Sequence, residues 1–346
     1  MTARQEQEAV TTARRLGDRE RAILRALYDY ELLLTYQLQV LFFTSARRCQ
    51  DVLRELADLK LIERDIPTQS IGVGRAQPHW TLTESGIHVV AVLKRLPRSK
   101  LERMPRETFF AADKQLDHLL GVNRFFVSLV QASKKHPAHG LEKWVPEKYV
   151  RTQSSWIRHD GFGRYQHEGG ACDFYFEYDR ATEWQGQLIK KLKGYVLMAI
   201  KWTAEEDPKQ FPNLVVLVPT EKREAAFEKA ARSTVDEVWG ITEATAVDVP
   251  FFITSEERLM TEGVLGKVWR QFSPAPHNRP LAPALLAERI SLLQLPSRKS
   301  GPFDLDNCLG KKWADSGSRS KTRKPPQPPT FPSGVAPAAL FEEDGA

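Results

Sequence analysis

Three carboxylates, Asp160, Glu177 and Asp179, are the residues of this chain best placed by type and spacing to do chemistry. Asp160 leads into Gly161-Phe162-Gly163-Arg164-Tyr165, and Glu177 and Asp179 close the stretch that starts at Cys172. Between the two stretches, Glu168-Gly169-Gly170 is a turn signal, so they should pair as a hairpin. The hairpin brings Glu177 back level with Asp160, and period-two alternation puts Glu177 and Asp179 on one face. Three carboxylates on one patch suit a hard cation, Mg²⁺ first, which takes oxygen ligands and keeps waters. Such an ion activates water and steadies a phosphate oxygen in phosphodiester cleavage. The alternative is a charged cluster at a sheet end, with Asp179 paired to Arg180. Glu147, Glu183, Lys190 and Lys193 are the candidate supporting residues, the lysines as an ammonium projecting back from the following helix.

A second kind of chemistry, recognition of a polyanion, is suggested by the distribution of charge. The net charge is +6 over 346 residues. Residues 1–110 hold 18 Lys and Arg against 14 Asp and Glu, a net of +4, and residues 273–346 hold 10 against 7. The middle carries 22 against 23, so the positive excess lies in the first part and the tail. It is densest at Lys94, Arg95, Arg98, Lys100, Arg103 and Arg106, opposed only by Glu102. In the segment 45–60, burying Val52, Leu53, Leu56 and Leu59 leaves Arg47, Arg48, Gln50, Asp51 and Arg54 outward. Arginine and glutamine in the first turns of a helix can reach base edges and phosphates of duplex DNA. Arg75 and Gln77, in a Gly-containing loop, are placed to track a phosphate backbone. The competing reading of this module is a protein-docking surface, kept open by Asp51 and Glu55.

Several classes are disfavoured. Cys49, Cys172 and Cys308 are scattered and odd in number, which gives no disulfide framework and no metal knuckle. His136 and His139 have no third ligand nearby in the sequence, and no Walker-type phosphate loop occurs. No tyrosine adjoins the His-rich triad of a nicking relaxase. No window approaches the ~18 apolar residues a membrane helix needs, and the polar first residues lack a signal-peptide core. A cytoplasmic protein without membrane contact is the expectation.

The elements that must position these residues follow from periodicity. Residues 1–17 read as a mobile leader. Helices from Asp18, from Thr35 and over 45–60, then strands at 62–64 and 80–83 and a helix from Glu84 to about Leu96, give the order of a winged helix-turn-helix over 18–96. A basic linker, 97–112, is bracketed by Pro97 and Pro105. An α/β domain with a mixed central sheet is expected over 113–272. It comprises a helix over 113–133, strands at 142–150, 162–167, 172–179, 213–218 and 247–253, and helices at 183–202 and 221–233. Residues 273–346 are Pro-rich and basic, and read as largely disordered after one short helix at 282–293.

The Asp160…Glu177-Tyr178-Asp179 arrangement resembles the restriction-endonuclease-like fold, whose motif is Pro-Asp, a spacer, then Asp/Glu-x-Lys. Here His159 replaces the proline, 16 residues intervene, and Asp179 stands at the lysine position, which weighs against catalysis. A wider resemblance joins the helix-turn-helix pattern to Leu116-Asp117-His118, Val122-Asn123-Arg124-Phe125-Phe126, Trp144-x-x-Glu147, Phe176-Glu177-Tyr178-Asp179-Arg180-x-Thr182-Glu183 and Lys191-Leu192-x-x-Tyr195. Over about residues 18–255 this is similar to the replication-relaxation family of plasmids and integrated mobile elements. That resemblance implies a role in plasmid replication and DNA relaxation, with DNA as partner. The expected partners are double-stranded DNA, replication or conjugation proteins and a second copy of the chain. Three functional readings stay open. One is a DNA-binding protein with a non-catalytic nuclease-like domain. The others are a metal-dependent endonuclease using Asp160, Glu177 and Asp179, and a transcriptional regulator whose second domain senses a ligand or dimerises.

Overall fold

Gln5 and Thr2 exchange the reciprocal side-chain bonds of a capping box and start a helix where a leader was expected. In the computed structural model, which describes residues 2–65, 78–96, 113–150, 159–180, 191, 193–195, 213–230, 251–272 and 289–295, this helix is α1, Ala3–Arg15. It buries Ala9 and Ala13 and packs on a later helix, so the expectation of a mobile leader is corrected. Its apolar stripe is made of alanines, small enough to let two helices approach and too weak to stand out as a hydrophobic pattern.

The chain divides into two units at Val127–Ser128. In the first, α1 is followed by α2 (Asp18–Tyr30), β1 (Leu33–Leu34), α3 (Thr35–Phe42), α4 (Ala46–Asp58), β2 (Ile62–Asp65), β3 (His79–Leu82) and α5 (Glu84–Lys94). The strands form an antiparallel sheet in the order β1-β3-β2, with Ile62 opposite Leu82 and Leu33 opposite Trp80. Ile23, Leu24, Leu27, Leu38, Val52, Leu53, Leu56 and Val90 close the core. Ser45 caps α4 by accepting from the Arg48 amide, and Thr83 caps α5 by accepting from the Gly86 amide. Gly86 has to be glycine, because a Cβ there would stand 2.0 Å from the Leu61 carbonyl oxygen. Leu59, expected inward, is 52% exposed, since α4 ends at Asp58 and the chain leaves the helix there.

The division point lies inside α6, Asp113–Ser133, and so differs from a domain border in the basic linker. The reason is Asn123. Buried on α6, it donates to the Tyr30 and Leu32 carbonyls at 3.2 and 2.8 Å and satisfies the end of α2.

The second unit is built on a six-stranded sheet in the order β4-β5-β6-β7-β8-β9. The strands are β4 (Gly140–Pro146), β5 (Gly161–His167), β6 (Gly170–Tyr178), β7 (Asn213–Val218), β8 (Phe251–Ser255) and β9 (Arg270–Phe272). β4, β5 and β6 are mutually antiparallel, β6, β7 and β8 are parallel, and β9 returns antiparallel. Every residue of β7 and β8 is buried, and their apolar runs, Leu214–Val218 and Phe251–Ile253, suit strands covered on both faces. The strand expected over 142–150 stops at Pro146, and 147–150 turn into the short helix α7 (Glu147–Val150). Of the strand expected over 247–253, Phe251–Ile253 belong to β8, and 247–250 lie outside the described residues. Helix α8 occupies 221–230 and α9 Glu256–Glu262.

The tail expectation is corrected at one segment. Ile290 bridges to Trp269, and Arg289 donates to the Val268 carbonyl at 2.7 Å and to Glu224 at 2.8 Å. Leu292 is fully buried in a 3₁₀ turn, Leu292–Gln294. Residues 289–295 therefore belong to the second unit. The remainder of the tail lies outside the described residues, as do most of the helices expected at 183–202 and 282–293.

Candidate functional site

The second unit gathers its polar side chains where the parallel strands end, the position at which open α/β sheets place their sites. Asp160 immediately precedes β5, and its amide donates to the Phe176 carbonyl at 3.1 Å. The antiparallel register, Gly161 opposite Phe176, then sets Asp160 beside Glu177. Asp160 is 8% exposed and accepts from the Tyr178 amide at 2.7 Å. Glu177 is 3% exposed, and its two oxygens are both engaged. The Lys191 ammonium donates to Oε1, and the Tyr195 hydroxyl donates to Oε2 at 2.6 Å. Lys191 and Tyr195 are four residues apart on helical backbone, so one helix face presents both.

Burial is the main cause that raises the Glu177 pKa, and the Asp160 charge adds to it. The Lys191 ammonium and the two hydrogen bonds work in the opposite sense. The side chain behind the pair is His159, fully buried and stacked on Tyr175 with ring centroids 3.8 Å apart and 6° between planes. The Tyr195 ring lies 5.2 Å away on a tilt. Neither ring nitrogen of His159 has a hydrogen-bond partner among the described residues. Burial, outweighing the nearby Asp160, lowers its pKa to about 3, and the imidazole is neutral in the fold.

Asp179, expected on the same metal patch, follows β6 and turns to Arg223 in the first turn of α8, at 2.8 Å. The partner given for Asp179 is thus 44 residues away in sequence. Glu147, on α7, follows the residue paired with Gly161 and so lies at the same sheet end as Asp160. Lys193 is on the helical segment two residues past Lys191. Glu183 and Lys190 lie outside the described residues. Among the described residues no three His, Cys, Asp or Glu side chains are grouped to hold a metal ion. Glu177 is paired with Lys191, and Asp179 with Arg223.

Lys191 and Tyr195 are named only in the family-like motif, and sequence reasoning gives them no role at the site. The available signal was their i, i+4 spacing behind a strand ending in a buried acid. Lys190 and Lys193, preferred for the role, flank the right residue.

In the first unit, Arg47, Arg48, Gln50 and Arg54 are exposed on α4, while Cys49, Val52, Leu53 and Leu56 are buried. Arg54 pairs with Asp51 at 3.2 Å and Arg48 approaches Glu55 at 3.9 Å, both in solvent. Exposed pairs of this kind contribute ~0–1 kcal/mol, so they leave the arginines available to a stronger partner. Lys94 is a correction. Its ammonium meets Asp29 at 2.5 Å with both side chains only 9% exposed, and it also lies over the Tyr28 ring. It is a buried tie between α5 and α2, not a phosphate contact. Arg95 is exposed as the left-handed C-cap of α5, φ 52°. Arg75 and Arg98 lie outside the described residues.

The neutral His159 has a consequence for acid stability. Its folded pKa lies below its unfolded value of about 6.5, so the stability it contributes is present above pH 6.5 and is lost as pH falls toward 3. His159→Phe keeps the stacking on Tyr175 and removes the titration. Melting temperature from pH 7 to 4 should therefore fall less steeply for His159→Phe than for the unaltered protein, and parallel curves would refute the assignment.

A family model described as replication-relaxation matches residues 24–214, more than half of the chain. No curated protein and no solved structure matches it.

Proposed function

The chain belongs to the replication-relaxation family, and from that premise we propose that it is a DNA-binding protein serving the replication of a plasmid or integrated mobile element. The observation that carries this reading is α4. Its buried face is wholly apolar, while Arg47, Arg48 and Gln50 stand in solvent near its capped N-terminus and Arg54 stands in solvent two turns in. The order α2, α3, α4 followed by the paired strands β2 and β3 supports a winged helix-turn-helix in which α4 enters the major groove. Double-stranded DNA is then the partner, with phosphate contacts from the exposed arginines positioning the helix. No helix among the described residues is long and apolar enough to cross a membrane, which is consistent with action on cytoplasmic DNA.

The second unit acts in this reading as a non-catalytic relative of the restriction-endonuclease-like fold. Its support is that Glu177 spends both oxygens on Lys191 and Tyr195 and that Asp179 is held by Arg223. One observation favours the second reading, an endonuclease. Asp160, Glu177 and Lys191 bring together an Asp, a Glu and a Lys, with the lysine moved from the strand to the following helix.

Supercoiled plasmid incubated with the full chain and millimolar Mg²⁺ or Mn²⁺ separates the two. Retarded migration with the topology unchanged is expected. Nicked or linear product, abolished by both Asp160→Asn and Glu177→Gln, would establish the endonuclease instead.

A further inference from the structure

Arg19 lies outside α4, in the first turn of α2, yet its guanidinium reaches the turn that leads into α4. Its Cζ is 5.0 Å from the centroid of the Phe43 ring, and Phe43 is the C-cap residue of α3, two positions before the Ser45 cap of α4. Phe43 is 3% exposed, whereas Arg19 is exposed. The ring thus supplies a fixed platform, and the guanidinium covers its face while keeping contact with solvent.

This geometry decides what Arg19 is fit for. A guanidinium held over an aromatic face by its charge has five N–H donors, and the ring accepts none of them as a conventional hydrogen bond. Those donors match the paired oxygens of a phosphate. The neighbouring acids are directed elsewhere. Asp18 approaches Arg21 at 3.4 Å, and a Cβ at Gly17 would meet a Glu20 carboxylate oxygen at 2.4 Å, which shows that side chain folded back over its own helix start. Arg21 in turn donates to the Ala13 and Arg14 carbonyls and is not available.

Reach agrees with this role. Phe43 and Arg47 are four residues apart, so their Cα atoms are at most ~14 Å apart even in an extended chain. The major groove is ~12 Å wide, so a side chain at Phe43 stands at the groove rim when the first turn of α4 is inside it. Arg14 and Arg15, exposed in the last turn of α1, add positive charge to the same corner.

We propose that Arg19, held over the Phe43 ring at the turn into α4, clamps a backbone phosphate of the duplex that α4 addresses. The inference rests on the DNA-binding reading above. A phosphate clamp adds affinity without sequence preference and contributes to the salt dependence of binding.

The test is a salt series of fluorescence-anisotropy titrations, using the full chain and a random-sequence 30-base-pair duplex. Arg19→Ala should weaken binding and lower the slope of log affinity against log salt by about 0.9, the contribution of one phosphate. Arg4→Ala, which removes a charge at the far end of α1, should leave the slope unchanged. A purely structural Arg19 would lower the melting temperature and leave the slope as it was, and that result overturns the clamp. If Arg47→Ala with Arg48→Ala weakens binding while Arg19→Ala does not, the clamp fails and the DNA-binding reading survives. If the unaltered protein binds no duplex, both fail.

Discussion

Lys191→Met should destabilise the second unit by about 3 kcal/mol or more, because it strands a carboxylate that is almost entirely buried. Lys191 is itself a quarter exposed, so the loss belongs at the lower end of the ~3–5 kcal/mol typical of breaking a buried pair. The sign of the pH dependence identifies the cause. The folded pKa of Glu177 already lies above its ordinary value near 4.5, and removing the ammonium raises it further. Stability from a carboxyl with a raised folded pKa is fully present below its unfolded pKa and is lost as pH rises through the folded one. The melting temperature of Lys191→Met should therefore fall further below that of the unaltered protein at pH 8 than at pH 5. Adding Glu177→Gln should flatten this difference, since an amide carries no charge to strand. A deficit that is the same at every pH would mean that Lys191 contributes packing alone.

Arg47→Ala combined with Arg48→Ala should cost duplex affinity on the order of a hundredfold, from ~1–3 kcal/mol for each residue that contacts a base edge. The melting temperature should hardly move. Neither side chain is buried, and the Arg48–Glu55 approach at 3.9 Å is an exposed contact of small value. The loss should also be uneven across sequences, greatest for the preferred site, because base contacts carry discrimination whereas phosphate contacts do not. Equal weakening on every sequence would reduce both arginines to phosphate contacts.

Local patterns were legible where a residue's role depends on near neighbours. The α4 stripe of Val52, Leu53 and Leu56 and the turn at Gly169-Gly170 follow from spacing within a few positions, and the structure has them. So does β7, whose run from Leu214 to Val218 is apolar because both its faces are covered. The illegible features depend on partners distant in sequence. Lys94 sits in a basic run and reads as solvated, yet Asp29, 65 residues earlier, draws it into the core. Asp179 reads as a metal ligand until Arg223 is seen against it. Lys191 is one of three lysines within four residues, and a charge count does not tell which of them meets Glu177. Helix α1 was missed for a different reason, since Ala9 and Ala13 bury too little surface to mark an apolar face.

The most direct test of DNA recognition through α4 is amide hydrogen exchange of the full chain with and without excess duplex. Peptides spanning the α3–α4 turn and the first half of α4, residues 43–52, should exchange more slowly when duplex is present, because the groove excludes solvent from that face. Unchanged exchange over 43–52, with protection confined to the second unit, would contradict the reading and move the DNA-binding surface to the other sheet.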